Sequence, residues 1–170
     1  MSTAPLLSLP VGVVVERRKA TSPWLDFVWQ PVAVLPGLPA AEPWTRLDET
    51  GETATFFAGA ADIALYRTET ANYADNLASG APQVWVVLRP TDGQPPYALM
   101  AVTADPAEGE AFTEAGNDLV ETVPMPAHIK DEVERFVAEH HVERPFVKRQ
   151  RDSANADQAG GARKPKERQR

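Results

Sequence analysis

The chain has 170 residues and a net charge of −7, with 43% hydrophobic residues. That length suits one domain with a tail, and the apolar share is enough for a real core. There is no cysteine, which excludes disulfides, thiolate-held zinc or iron–sulfur clusters and any cysteine nucleophile within this sequence. Sixteen prolines against ten glycines argue against an all-helical bundle.

The charge is unevenly placed. Residues 142–170 hold nine Lys and Arg against four acids, a balance of +5, which leaves the body at −12. A body that acidic repels phosphate, so neither nucleic acid nor an anionic membrane is an expected partner. From Asp152 to Arg170 there is no aromatic and no aliphatic side chain larger than alanine. Such a segment cannot bury itself and reads as a disordered basic tail. It is either a solvated extension or an electrostatic handle for an acidic partner.

In chain order, residues 1–9 read as a flexible N-terminus. The run Leu6 to Val15 only superficially resembles a signal sequence. Pro5 and Pro10 break it, and its basic residues Arg17, Arg18 and Lys19 follow rather than lead. No stretch is long and apolar enough to span a bilayer, and a soluble, cytoplasmic protein is expected. Val11 to Val15 is short and β-branched, a buried strand. Trp24 to Leu35 is a second extended segment, and Pro31 within it points to an edge strand, a bulge or two short strands. Pro36-Gly37-Leu38-Pro39 is a turn. Trp44 to Tyr66 reads as a meander with a hairpin turn at Glu49-Thr50-Gly51-Glu52 and two strands flanking Gly59.

Thr70 to Ser79 is helical in character, with Tyr73 and Leu77 four apart and Gly80 as its stop. Val84 to Leu88 is a continuous apolar run, the pattern of a central strand covered on both faces. Thr91-Asp92-Gly93 turns the chain into a partner strand, Tyr97 to Thr103. Asp105 is a good N-cap with Pro106 behind it, and Glu108 is spaced to bond back to the cap amide. Ala111, Phe112 and Ala115 are expected to face inward, and Gly116 to end that helix. Asp118 to Val123 is a short strand. In a last helix, roughly Ala127 to His141, Ile129, Val133, Phe136 and Val137 share one face. The expected fold is α+β: a mainly antiparallel sheet with about three helices, a single domain over 10–151, and a tail over 152–170.

The search for chemistry assigns no catalytic residue, no metal ligand and no cofactor. The histidines are His128, His140 and His141. Adjacent helical residues diverge by about 100°, and no metal-binding histidine spacing exists. His141 has a simpler role beside a helix C-terminus. No serine sits in a nucleophile elbow. Gly160-Gly161 is the sole glycine pair, and no strand precedes it to build a phosphate loop. Binding is the better-supported theme. Arg17, Arg18 and Lys19 form a basic cluster that either faces an anionic ligand or ends a solvated strand. Trp24, Trp29 and Trp44, set among prolines, either line a partner groove or cap the sheet. With Lys148 and Arg149 of the tail region, Arg17, Arg18, Trp24, Trp29 and Trp44 are the candidate partner-binding residues.

Several ordered stretches carry a resemblance. They are Pro10 to Arg18, Trp29 to Gly37, Tyr73-Ala74-Asp75-Asn76-Leu77-Ala78-Ser79, Val86-Val87-Leu88-Arg89, Val123-Pro124-Met125-Pro126, His140-His141 and Pro145-Phe146-Val147-Lys148-Arg149. Together, over roughly residues 10 to 151, they resemble an uncharacterised proteobacterial family, domain of unknown function thirty-three-oh-five. Its genes lie beside those of molybdenum-dependent formate dehydrogenase. The resemblance implies an accessory or assembly factor that binds a formate dehydrogenase subunit or a molybdenum-cofactor protein. Two alternatives stay open: an enzyme of molybdenum guanine dinucleotide biosynthesis, nucleotidyltransferase-like, and a small regulatory subunit of the dehydrogenase. Against the first, no glycine-rich loop opens a βα unit here. A sulfur-carrying role is excluded because the chain has no thiol.

Overall fold

In a computed structural model that describes residues 4–37 and 41–141, seven strands and three α-helices form an α+β domain with two antiparallel sheets. The first sheet contains β1 (Leu7–Lys19), β2 (Phe27–Pro36), β3 (Thr45–Thr50) and β4 (Thr53–Leu65), in the order β2-β1-β4-β3. The second contains β5 (Gln83–Pro90), β6 (Tyr97–Thr103) and β7 (Leu119–Pro124), in the order β6-β5-β7. The helices are α1 (Thr70–Ala78), α2 (Pro106–Glu114) and α3 (Ala127–His140). This is the expected α+β architecture with mainly antiparallel pairing and three helices, its strands divided between two sheets. Each sheet has an apolar face, and they bury those faces together, with Val11, Val13 and Val15 in one core with Val84, Val86 and Leu88.

β1 starts at Leu7, not at Val11, so Leu7, Ser8 and Leu9 are strand rather than flexible N-terminus. Leu7 pairs with Leu65 and Leu9 with Ile63, and Leu9 is buried. The cross-strand partners, invisible in sequence, hold this end despite Pro10. β4 is also one long strand rather than two. Gly59 lies inside it at φ +142°, where the β1–β4 register shifts. The glycine accommodates a bulge, with the Leu99 side chain of β6 close by. β2 is an edge strand with a register shift opposite Pro31, as the proline indicated. β5 is the central strand of its sheet, with Val86, Val87 and Leu88 fully buried.

α1 and α3 pack together over the end of β1 and β4, where Tyr73, Ile129, Val133 and Phe136 join Leu9 and Leu65 in the core. Tyr73 Oη accepts from Tyr66 N (2.9 Å). Asn76 is buried and bridges three segments: its Nδ2 donates to Gln83 O (2.7 Å) and Ala104 O (3.0 Å), and its Oδ1 accepts from Gln83 N (3.0 Å). This amide locks α1 to both β5 and the turn after β6.

α2 lies on the outer face of the second sheet. Asp105 caps it, accepting from Ala107 N at 2.9 Å. Glu108 does not bond to the cap amide directly. Asp105 N donates to Thr103 Oγ1 (3.0 Å), and that hydroxyl donates to Glu108 Oε2 (3.0 Å). The inward face is also not the expected one. Ala111 and Ala115 are exposed, Phe112 is half-buried, and Gly109 is the buried contact, set directly against the Trp85 ring. A glycine reads as a weak point of a helix in sequence. Here it is the position where the helix approaches the sheet.

Candidate functional site

The candidate surface lies at the end of the first sheet opposite α1 and α3. Register builds it. Arg17 of β1 sits across from Trp29 of β2 and Ala54 of β4, Val15 lies opposite Phe56, and Arg46 of β3 lies opposite Phe56. Because strand side chains alternate, Phe27 and Trp29 share a face, and cross-strand neighbours on one face touch.

Trp29 is the hub. Its ring lies 5.9 Å from Trp44 at an interplanar angle of 87°, 5.6 Å from Phe56 and 6.4 Å from Tyr97. Trp44 is 6.4 Å from Phe56. Edge-on and offset pairs of this kind add about 0.5–1.5 kcal/mol each beyond burial. Trp44 takes a left-handed φ of 65°, uncommon for a bulky residue, and its N–H donates to Phe57 O. Holding the backbone there costs on the order of 1–3 kcal/mol, which the ring contacts and the strand hydrogen bond offset.

Arg17 lies among these rings. Its Cζ is 4.3 Å from the Phe27 centroid, 5.3 Å from Phe56 and 5.8 Å from Trp29. Arg46 Cζ is 5.7 Å from Phe56. The arginines differ in what neutralises them. Arg18 holds Glu16 (3.0 Å), Arg46 holds Glu49 (2.7 Å), Arg135 holds Glu132 (3.0 Å), and Arg89 grips Asp118 through two bonds of 3.0 Å each. The Arg89 guanidinium holds the Asp118 carboxyl below its ordinary range. Among the described residues, Arg17 has no carboxylate partner and no hydrogen-bond acceptor for its side chain, and it is half-buried against aromatic rings.

Of the residues singled out from sequence, Arg17, Trp29 and Trp44 come together here. Trp29 and Trp44 are half-buried and pack against the core, so they cap the sheet while lining the surface. Arg18 is engaged with Glu16 instead. Trp24 stands in the β1–β2 connection, 89% exposed, beside Leu25 at 59%. Lys148 and Arg149 lie outside the described residues. Phe27, Phe56, Tyr97 and Arg46 were missed as site residues. The two-residue spacing of Phe27 and Trp29 is a readable signal for a shared face. Nothing in sequence pairs Phe56 with Arg46, or brings Tyr97 from the other sheet.

The histidines are apart from this surface. His128 is exposed, and the His140 ring lies 4.7 Å from Phe136. His141 Nδ1 is 3.1 Å from Thr70 Oγ1, tying the end of α3 to the start of α1. Among the described residues, no three His, Asp or Glu side chains cluster as a metal site would require, and no helix is long and apolar enough to cross a membrane.

A family of proteins of unknown function, DUF3305, matches residues 10–150. The chain belongs to the DUF3305 family. The match starts within β1 and takes in every later element, including all the aromatic residues of the surface. No curated protein and no solved structure matches the chain.

Proposed function

We propose that this DUF3305 protein is a non-enzymatic accessory or assembly factor for a molybdenum-dependent formate dehydrogenase, working in the cytoplasm. It holds an enzyme subunit or a molybdenum-cofactor protein. The link to that enzyme rests on the genomic company implied by the family resemblance. The observation that supports a holding role is the basic–aromatic end of the first sheet. There, half-buried tryptophans and an arginine without an acidic partner among the described residues accompany the exposed Trp24 and Leu25 of the adjoining connection. Tryptophan and arginine are enriched among the few residues that carry most of the energy of protein interfaces.

The test is affinity recovery of the tagged chain from cells making formate dehydrogenase, together with dehydrogenase activity after gene deletion. Recovery of a dehydrogenase subunit or a molybdenum-cofactor protein, with activity reduced on deletion, is the expected result. Neither outcome, in cells that express the enzyme well, overturns the reading. Co-purification at fixed stoichiometry through every step would make the chain a subunit instead. Binding heat with GTP and Mg²⁺ in calorimetry would make it a nucleotide-handling enzyme.

A further inference from the structure

The geometry points to a carboxylate subsite at Arg17, which receives an Asp or Glu side chain from an extended apolar segment of a partner protein. The inference rests on the holding role proposed above and gives that role a chemistry.

Arg18, Arg46, Arg89 and Arg135 each spend their guanidinium on a carboxylate of this chain. Arg67 is exposed in the turn before α1. Arg17 differs from all of these. Rings of Phe27, Phe56 and Trp29 lie 4.3, 5.3 and 5.8 Å from its Cζ. Rings beside a guanidinium shed part of its water and limit its rotamers while leaving the N–H edges unused. A planar fork already desolvated and oriented is suited to bidentate capture of a planar oxyanion.

Two observations commit the occupant to a peptide. First, the described part of the chain is strongly acidic, so a polyanion such as nucleic acid or an anionic lipid surface meets net repulsion. A single carboxylate in an otherwise apolar segment meets only the local cation. Second, the edge strand paired with Arg17 is apolar and uncharged. β2, across the hairpin, has no Lys, Arg, Asp or Glu along its whole length. As an edge strand it exposes Phe27 on the same face as Arg17, with Trp24 and Leu25 exposed in the adjoining turn. Edge strands are commonly protected by charge. This one presents apolar side chains beside the Arg17 guanidinium, with exposed Lys19 across from Phe27, which complements an apolar segment carrying an acid.

The experiment uses the full ¹⁵N-labelled chain and two probes, acetyl-Leu-Asp-Leu-amide and acetyl-Leu-Asn-Leu-amide. The Arg Nε–H and Trp indole N–H resonances are followed during titration. The Asp probe is expected to shift the Arg17 and Trp29 signals in a saturable way, and the Asn probe to bind about tenfold more weakly or not at all. Arg17→Gln removes the discrimination. Trp24→Ala, at a largely exposed position outside the core, weakens both probes. Equal shifts from both probes, no shift from either, or a stronger response to inorganic phosphate than to the Asp probe overturns the subsite. Recovery of dehydrogenase proteins from cells by wild type and by folded Arg17→Gln alike also overturns it, while the holding role stands. Asp-over-Asn discrimination with no dehydrogenase or molybdenum-cofactor protein recovered leaves the subsite standing and overturns the assembly role.

Discussion

Gly109→Ala is the sharpest probe of how the helical layer meets the sheet. A methyl at this position would lie 2.4 Å from Trp85 Cγ and Cδ1 and 2.8 Å from Cδ2. Ordinary carbon contact begins near 3.4 Å, so helix or indole must move by about 1 Å. The indole is not the free end of a flexible chain, because it belongs to the central strand of the second sheet, between β6 and β7. Overpacking of this kind costs about 1–3 kcal/mol. Against it, alanine favours a helix interior over glycine by about 1 kcal/mol. The net expectation is a loss of up to about 2 kcal/mol, and so a thermal midpoint lower by up to several degrees, at ~2–4 °C per kcal/mol for a chain of this size. Thermal and urea denaturation read the loss, and a changed tryptophan emission reports displacement of Trp85. Trp85→Leu opens the space, so in that background Gly109→Ala should become neutral or stabilising, a coupling of about 1 kcal/mol or more. If Gly109→Ala alone matches or exceeds wild-type stability with unchanged emission, the close approach of α2 to Trp85 is wrong.

Three further outcomes are expected. Asn76→Ala strands Gln83 N and O and Ala104 O inside the protein. It should cost about 2–4 kcal/mol by denaturant titration, at about 1–3 kcal/mol for each polar group left unpaired and with partial relaxation. Burial pushes the Tyr73 hydroxyl up from 10.0 to about 12, so the folded state keeps a proton that the unfolded chain releases. Tyr73 therefore contributes stability that is complete below pH 10 and lost as pH rises toward 12, and Tyr73→Phe should flatten that part of the stability profile. The lowered Asp118 pKa has the opposite sign. Its pairing with Arg89 contributes above the ordinary carboxylate range of about 4 and is lost as pH falls through the folded value. Asp118→Asn should remove that acid-side slope.

Local chemistry made much of the architecture readable. The capping residues Asp105 and Pro106 mark the start of α2, and the i, i+4, i+7 spacing of Ile129, Val133 and Phe136 marks the buried face of α3. Pro31 signals an edge strand, and the apolar run at Val84–Leu88 signals a central one. These signals are legible because they depend on groups a few residues apart. The inward face of α2 was misjudged for the converse reason. Hydrophobicity favoured Ala111 and Ala115, while the packing distance to Trp85 selected Gly109.

Composition alone barred thiol chemistry, because that follows from which residues are present and not from where they lie, and the order of charges along the chain put the excess of acid in the body. Local pattern went further, to strands, helix starts and an aromatic- and arginine-rich segment. The division into two sheets, the continuity of β4 through Gly59 and the meeting of Arg17, Phe27, Trp29, Phe56 and Tyr97 came only with three-dimensional packing. Strand register is set by how long segments bury their apolar faces together, and a shift of one residue would turn every one of these side chains to the other face. That dependence on partners distant in the chain is why Arg17 reads as one member of a basic cluster in sequence, yet as a ring-lined cation in the fold.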